Sequence, residues 1–201
     1  MPTCNCPVGT VIPTITPSTC PYDVGQIQKL IFQRAGQVAA AAATTAALEA
    51  TWTALAAATG NTKIETTPYV YNAMIAQGDA IIEGGGDNAT LNGIGIVNET
   101  NPSTFTGYFR EQQQSVIAAI RDYQCETIQV YFVNHLGKLI CGTNDDGDIV
   151  GFPLHALFIS DPELGGYGVA DKNHIQFQLK AEWADGMTFI TPETGWSFLE
   201  L

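Results

Sequence analysis

HIQFQLKAEW, residues His174 to Trp183, decides how the rest of the chain is read. In an extended strand Ile175, Phe177, Leu179, Ala181 and Trp183 share one face, while Gln176, Gln178, Lys180 and Glu182 share the other. A slip of one residue would send the whole apolar set to the opposite side, so the register is firmly specified. Met187 to Thr191 is expected to return as its hairpin partner across Ala184-Asp185-Gly186.

Other segments fall into place around this strand. Ile128, Val130 and Phe132 alternate with Gln129, Tyr131 and Val133, and Asn134–Gly137 turns the chain into Lys138–Gly142. Leu154–Ile159 is a further apolar run, and Lys63–Tyr71 resembles a strand interrupted by Pro68. Two helices are expected. Ala46–Ala58 puts Leu48, Trp52 and Leu55 on one face and ends at Gly60-Asn61, and Arg110–Tyr123 does the same with Val116, Ile117, Ile120 and Tyr123. Glu111 near the start of the second suits the helix dipole. The expected fold is α+β: an antiparallel β-sandwich or barrel-like sheet with two packed helices and an extended N-terminal arm.

The arm is the opening segment, MPTCNCPVGTVIPTITPSTCPYDVGQIQKLIFQR. Pro7, Pro13, Pro17 and Pro21 each fix φ, lack an N–H and push the preceding residue out of the α region. The segment closes on Gly25-Gln26-Ile27-Gln28-Lys29-Leu30-Ile31-Phe32, whose alternation describes a strand seeking a sheet. The expected organisation is an arm over 1–34 and a single core domain over 35–201. A second feature suited to contact is the loop Glu83-Gly84-Gly85-Gly86-Asp87-Asn88, followed by the alternation of Ile94 and Ile96. Cys4, Cys6, Cys20, Gly25, Gln26, Ile27 and Gln28 in the arm, with Gly84, Gly85 and Gly86 in the loop, are the candidate assembly-interface residues.

The 201 residues suffice for one substantial core. Hydrophobic residues make up 45%, but charged residues only 14%, against about 25% in ordinary soluble domains. A surface of Thr, Asn, Gln, Gly and small apolar groups loses little on desolvation, which suits burial against other subunits. The charges present are lopsided, 20 acidic against 8 basic, for a net −12. That balance argues against a nucleic-acid backbone as a bound partner. The start of the chain has no basic stretch followed by an apolar one, so no signal peptide is expected. Thr44, Thr45, Glu49, Thr51 and Thr53 interrupt the Ala-rich stretch from Ala35 to Thr59, so no membrane partner is expected either.

Motifs for chemistry weaken on inspection. The five cysteines are Cys4, Cys6, Cys20, Cys125 and Cys141. Without a signal peptide reduced thiols are the default, and zinc held by the arm thiols with a fourth ligand, or disulfides formed after release, are the alternatives. Asn144, Asp146 and Asp148 alternate like the first ligands of a calcium loop, but Ile149 and His155 stand where that loop needs Gly and Glu, which favours a polar turn. Gly84–Gly86 lacks the Lys-Ser/Thr of a phosphate loop. His135, His155 and His174 lack the spacing of a metal pair, and Ser160-Asp161 lacks the glycines of a nucleophile elbow. Trp52 and Trp183 have places on apolar faces, which leaves Trp196 as the candidate for a contact surface. No catalytic residues, metal or cofactor are expected.

The chain as a whole resembles a family of phage and prophage structural proteins from Bacteroides-type gut bacteria. The resemblance rests on Cys4-x-Cys6-Pro7, Cys20-Pro21, Gly25–Lys29 with Phe32-Gln33-Arg34, Trp52–Leu55 and Lys63 with Pro68-Tyr69. It continues through Gly84–Asn88 with Thr90-Leu91 and Gly93, Phe105–Gly107, Gln114–Ile117, Phe158–Asp161, Gly165–Tyr167, Asn173 and Thr191-Pro192. It implies a virion component made in the host cytoplasm: a tail-tube or neck-ring subunit that forms a homo-oligomeric ring or tube with other virion proteins. A negative lumen would then let DNA pass without specific binding. A head-decoration protein, or a virion surface module binding a host glycan or protein, is the alternative.

Overall fold

The strand anticipated at the end of the arm is present, and it belongs to the core. In the computed structural model, which describes residues 25–86 and 93–201, Ile27–Arg34 forms β1. It pairs antiparallel with β8 (Ile128–Asn134), from Ile27 opposite Asn134 to Arg34 opposite Ile128. Leu30 and Ile31 point to opposite faces of this sheet and both are fully buried. β1 lies between two packed layers, and removing it would expose both of them. The arm cysteines Cys4, Cys6 and Cys20 lie outside the described residues, as do Asp87 and Asn88 of the glycine loop.

Along the main sheet path the remaining strands are β2 (Val38–Ala40), β10 (Ile149–Val150), β9 (Leu139–Thr143), β8, β11 (Phe152–Ile159), β12 (Lys172–Leu179), β7 (Ser103–Arg110) and β4 (Tyr71–Ala76), in that spatial order. β3 (Ile64–Thr66) adds to β1, and β13 (Met187–Ile190) adds to β9. β11 makes the corner of the sandwich: Phe152 and Pro153 pair with β8, whereas Leu154 to Ile159 pair with β12 across an irregularity between His155 and Phe158. The result is an antiparallel sandwich with open edges rather than a closed barrel.

β12 and β7 run in unbroken register from Lys172 opposite Arg110 to Leu179 opposite Ser103. Ile175, Phe177 and Leu179 are buried, as the alternation requires. The strand is shorter than expected, however. It ends at Leu179, and residues 181–186 form turns instead of carrying Ala181 and Trp183 along the same face. The expected hairpin is also absent. Both edges of β12 are occupied by β11 and β7, so the following strand crosses to the other sheet and pairs with β9, Met187 opposite Gly142.

Two cores result. The first lies between the sheets and is rich in phenylalanine: Phe105 stacks on Phe177 at 4.4 Å, and Phe132 lies 5.8 Å from both Phe105 and Phe152. The second lies on the opposite face of β1, β8 and β9 under α1 (Ala43–Ala46), α2 (Glu49–Ala57) and the turn Phe198–Glu200. Its centre is Trp52, edge-on to Tyr131 at 5.4 Å and to Phe198 at 5.3 Å, with its indole N–H donated to Ala46 O at 2.7 Å. All seven residues of β8 are buried because a core covers each of its faces.

The helices are shorter than the sequence suggests. Leu48 precedes α2 and is exposed. α3 spans Gln114–Asp122, because Arg110 is still engaged in β7 and Glu111 sits at φ 53 in the bend that follows. Glu111 is thus not in the first helical turn. Ile117 and Ile120 of α3 join the inter-sheet core, and Tyr123 continues the packing in a 3₁₀ turn, Tyr123–Cys125, lying 6.1 Å from Phe32.

Candidate assembly interface

Among the described residues, one element projects from this body without joining either core. β5 (Ala80–Glu83) and β6 (Ile96–Thr100) pair with each other, and with no other named strand, as a two-stranded ribbon inserted between β4 and β7. Every residue of both strands is exposed. Ile82 lies opposite Val97 in the register, and the two retain 60% and 59% of their accessible surface. Ile81 and Ile96 are exposed as well, so apolar side chains occupy both faces of the ribbon.

The base of the ribbon is tied by Asn101 N donating to Asp79 O at 2.9 Å, and its distal part by Gly86 N donating to Gly93 O at 3.0 Å. Asn98 Nδ2 donates to Glu83 Oε2 at 2.6 Å. Gly84, Gly85 and Gly86 have φ of 81°, 100° and 111°, a run of left-handed conformations that side chains with a Cβ resist. A Cβ on Gly85 or Gly86 would meet nothing within 4 Å, so the glycines serve the backbone rather than close packing. Residues 77–102 contain Asp79, Glu83, Asp87 and Glu99 and no Lys or Arg, so the apolar ribbon is also acidic.

The interface residues expected from sequence fall into distinct places. Gly25 and Gln26 are exposed where the described chain begins, and Gln28 is half-buried. Ile27 is buried in this subunit's own inter-sheet core, so its side chain is not free for a neighbour. Gly84–Gly86 lie on the ribbon. Gly25, Gln77 at the ribbon's root and Ser103 at its other root line one cavity, so the start of β1 and the base of the ribbon meet at one end of the sandwich. Pattern alone does not mark the exposed apolar residues of the ribbon, because the alternation of Ile94 and Ile96 equally describes a core strand. The adjacent pair Ile81-Ile82, which must face both ways, was the available signal.

The remaining polar candidates have local roles. Asn144 Oδ1 accepts from Asp146 N at 3.1 Å and Asp148 N at 2.8 Å, which makes the acidic run a polar turn. His135 Nδ1 accepts from Gln26 N at 3.1 Å, and His155 is exposed. His174 Nε2 lies 3.1 Å from Glu163 Oε2, and with Lys172 it holds the Glu163 carboxyl below the usual carboxylate range. Ser160 Oγ donates to Asp161 O and accepts from His174 N. Among the described residues no group of three His, Cys, Asp or Glu side chains is placed to hold a metal, and no helix is long and apolar enough to cross a membrane. Cys125 is exposed, whereas Cys141 lies in β9, where burial pushes its thiol up to about 12. Trp196 is half-buried and packs 4.5 Å from Phe198, which ties it to the second core.

No protein-family model and no curated protein matches the chain. Three solved structures have similar chains, all at low identity. A chain from the tail of an empty gene transfer agent particle, with C6 symmetry, is 12% identical over 65% of this chain and 87% of its own, at a TM-score of 0.38. One from the virion of a native gene transfer agent particle is 12% identical over 63% and 88%, at 0.36. One from the six-fold symmetrised baseplate of the anti-feeding prophage is 8% identical over 89% and 98%, at 0.38.

Proposed function

We propose that this chain is a structural subunit of a phage virion, a tail-tube or neck-ring protein that self-assembles into a ring or tube through its N-terminal arm and the β5–β6 ribbon. The observation that carries the reading is the ribbon itself. An isolated two-stranded hairpin is marginal in water, and this one carries apolar side chains on both faces with no core beneath it among the described residues. A partner surface that covers it supplies the missing packing. If the ribbon of one copy meets a different surface on the next, the contact is heterologous, and such contacts close into rings or extend into filaments.

The low charge density supports the same reading, since most of the surface can be buried without stripping ions of water. In a tube, the net charge of −12 would keep DNA from adhering to the wall. The partners on this reading are further copies of the chain and other virion proteins. Negative-stain electron microscopy of the full-length protein over a concentration series tests it. Rings or tubes of uniform width are expected; dispersed particles at every concentration, with and without the other structural proteins of the particle, would refute it.

A further inference from the structure

β7 and β12 separate two exposed apolar elements. Their register runs unbroken from Lys172 opposite Arg110 to Leu179 opposite Ser103, a span of roughly 24 Å. The β5–β6 ribbon is rooted at the Ser103 end, between the last residue of β4 and the first of β7. Residues 160–171, which join β11 to β12, are rooted at the Arg110 end. In this connection Tyr167 is fully exposed, and Leu164 and Val169 keep 75% and 62% of their surface in water. Its backbone is tied down all the same. Glu163 and Lys172 exchange both backbone hydrogen bonds, at 2.8 and 3.2 Å, and their side chains pair at 3.3 Å. Gly165 N donates to Asp171 Oδ1 at 2.8 Å, and Val169 N donates to Gly166 O at 3.0 Å. A Cβ on Gly165 would clash with Val169 O, so the close crossing of the chain demands glycine. Apolar side chains held out on a fastened backbone lose less freedom on contact than those of a loose loop.

Charge decides what each element can meet. Residues 77–102 contain Asp79, Glu83, Asp87 and Glu99 and no Lys or Arg, so ribbon against ribbon would set like charges together. The other end differs. There Asp161 is paired with Arg121 at 3.0 Å, and Glu163 with Lys172 and His174. Arg110, opposite Lys172 at the foot of the connection, is exposed. Its guanidinium lies over the Tyr71 ring at 5.3 Å and has no carboxylate partner among the described residues. We propose that residues 160–171 receive the β5–β6 ribbon of a second copy of this chain. Leu164, Tyr167 and Val169 cover Ile82 and Val97, which lie opposite one another on the ribbon, and Arg110 faces its carboxylates. Tyrosine supplies large contact area at low entropic cost, which suits Tyr167 as the anchor. This inference rests on the assembly reading above and names the surface that the ribbon meets. With ribbon and receiver rooted at opposite ends of β7, every copy added leaves one of each free, so the contact is heterologous.

The test places p-benzoylphenylalanine at position 167 of the full-length chain and mixes isotopically labelled with unlabelled copies, at concentrations spanning assembly by sedimentation velocity. Irradiation of the assembled protein should join labelled to unlabelled chains, with the cross-links mapped by mass spectrometry to peptides containing Ile81–Glu83 or Ile96–Glu99. Assembly with cross-links only within one chain, or only to other peptides, would overturn this proposal and leave the assembly reading standing. No assembly at any concentration, with or without the other structural proteins of the particle, would overturn both. Separately, Leu164→Ser/Tyr167→Ser should weaken association about tenfold or more, as loss of a central aromatic contact does. Its urea midpoint should not change, because both side chains are already in water. Association of this variant at the wild-type concentration would also overturn the proposal.

Discussion

Replacing Ile82 and Val97 with threonine should separate folding from assembly. The two residues lie opposite one another on the ribbon and keep 60% and 59% of their surface in water. Threonine keeps the branched Cβ that strands favour, so the ribbon should form as before. In the isolated subunit the exchange alters groups that are mostly solvated, and the cost should stay within about 0.5 kcal/mol. In an assembly that covers the ribbon, two hydroxyls would be buried without partners, at about 1–3 kcal/mol each. A total near 3 kcal/mol per contact corresponds to roughly a hundredfold weaker association. Sedimentation velocity across a concentration series reads the association, and urea unfolding of the dissociated subunit reads the fold. Association at the wild-type concentration would refute the assignment of the ribbon to the interface. A large loss of subunit stability would refute the claim that the ribbon stands apart from the cores.

Gln129→Met should cost about 2–4 kcal/mol in urea unfolding, because it strips donors from Gln33 Oε1 (2.9 Å) and Gln37 O (2.7 Å) and the acceptor from Gly36 N, at a position only 1% exposed. Unchanged stability would mean that water replaces the amide. With Cys4, Cys6 and Cys20 changed to serine, Cys125 should react with a thiol reagent at neutral pH, while Cys141, whose thiol burial pushes up to about 12, should react only on unfolding. Equal rates would contradict the packing of β9. Glu163 should titrate below the ordinary carboxylate range, because His174 and Lys172 favour its charged form. Its stabilising pairing is therefore complete above the unfolded-state pKa and is lost as pH falls through the lower folded-state value. Carboxyl NMR shifts of wild type and Lys172→Met would show this, and an unshifted Glu163 would exclude the pairing.

How much of this was legible in sequence depended on how local the deciding interaction is. The faces of β12 followed from period-two alternation, which any extended backbone imposes: Ile175, Phe177 and Leu179 are buried. The strand character of residues 27–32 was legible for the same reason, and the turn at Asn144 because its side chain bonds backbone two and four residues on. That β1 has a core on each of its faces was not legible, because prolines upstream of it say nothing about which strand it pairs with. Helix starts were misplaced where strand pairing outcompeted helical spacing, as at Arg110 opposite Lys172.

The candidate interface divides along the same line. The sequence by itself determined that glycines 84–86 permit a sharp reversal, that Ile94 and Ile96 alternate with their neighbours as in an extended strand, and that the region bears only negative charge, all properties of covalent structure and side-chain chemistry. Only the tertiary structure decided that this hairpin projects, that β13 changes sheet because both edges of β12 are filled, and that the ribbon's roots and the start of β1 share one end of the sandwich. Which strand edges are free, and which apolar faces are left without a partner, depends on the pairing of all the other strands at once.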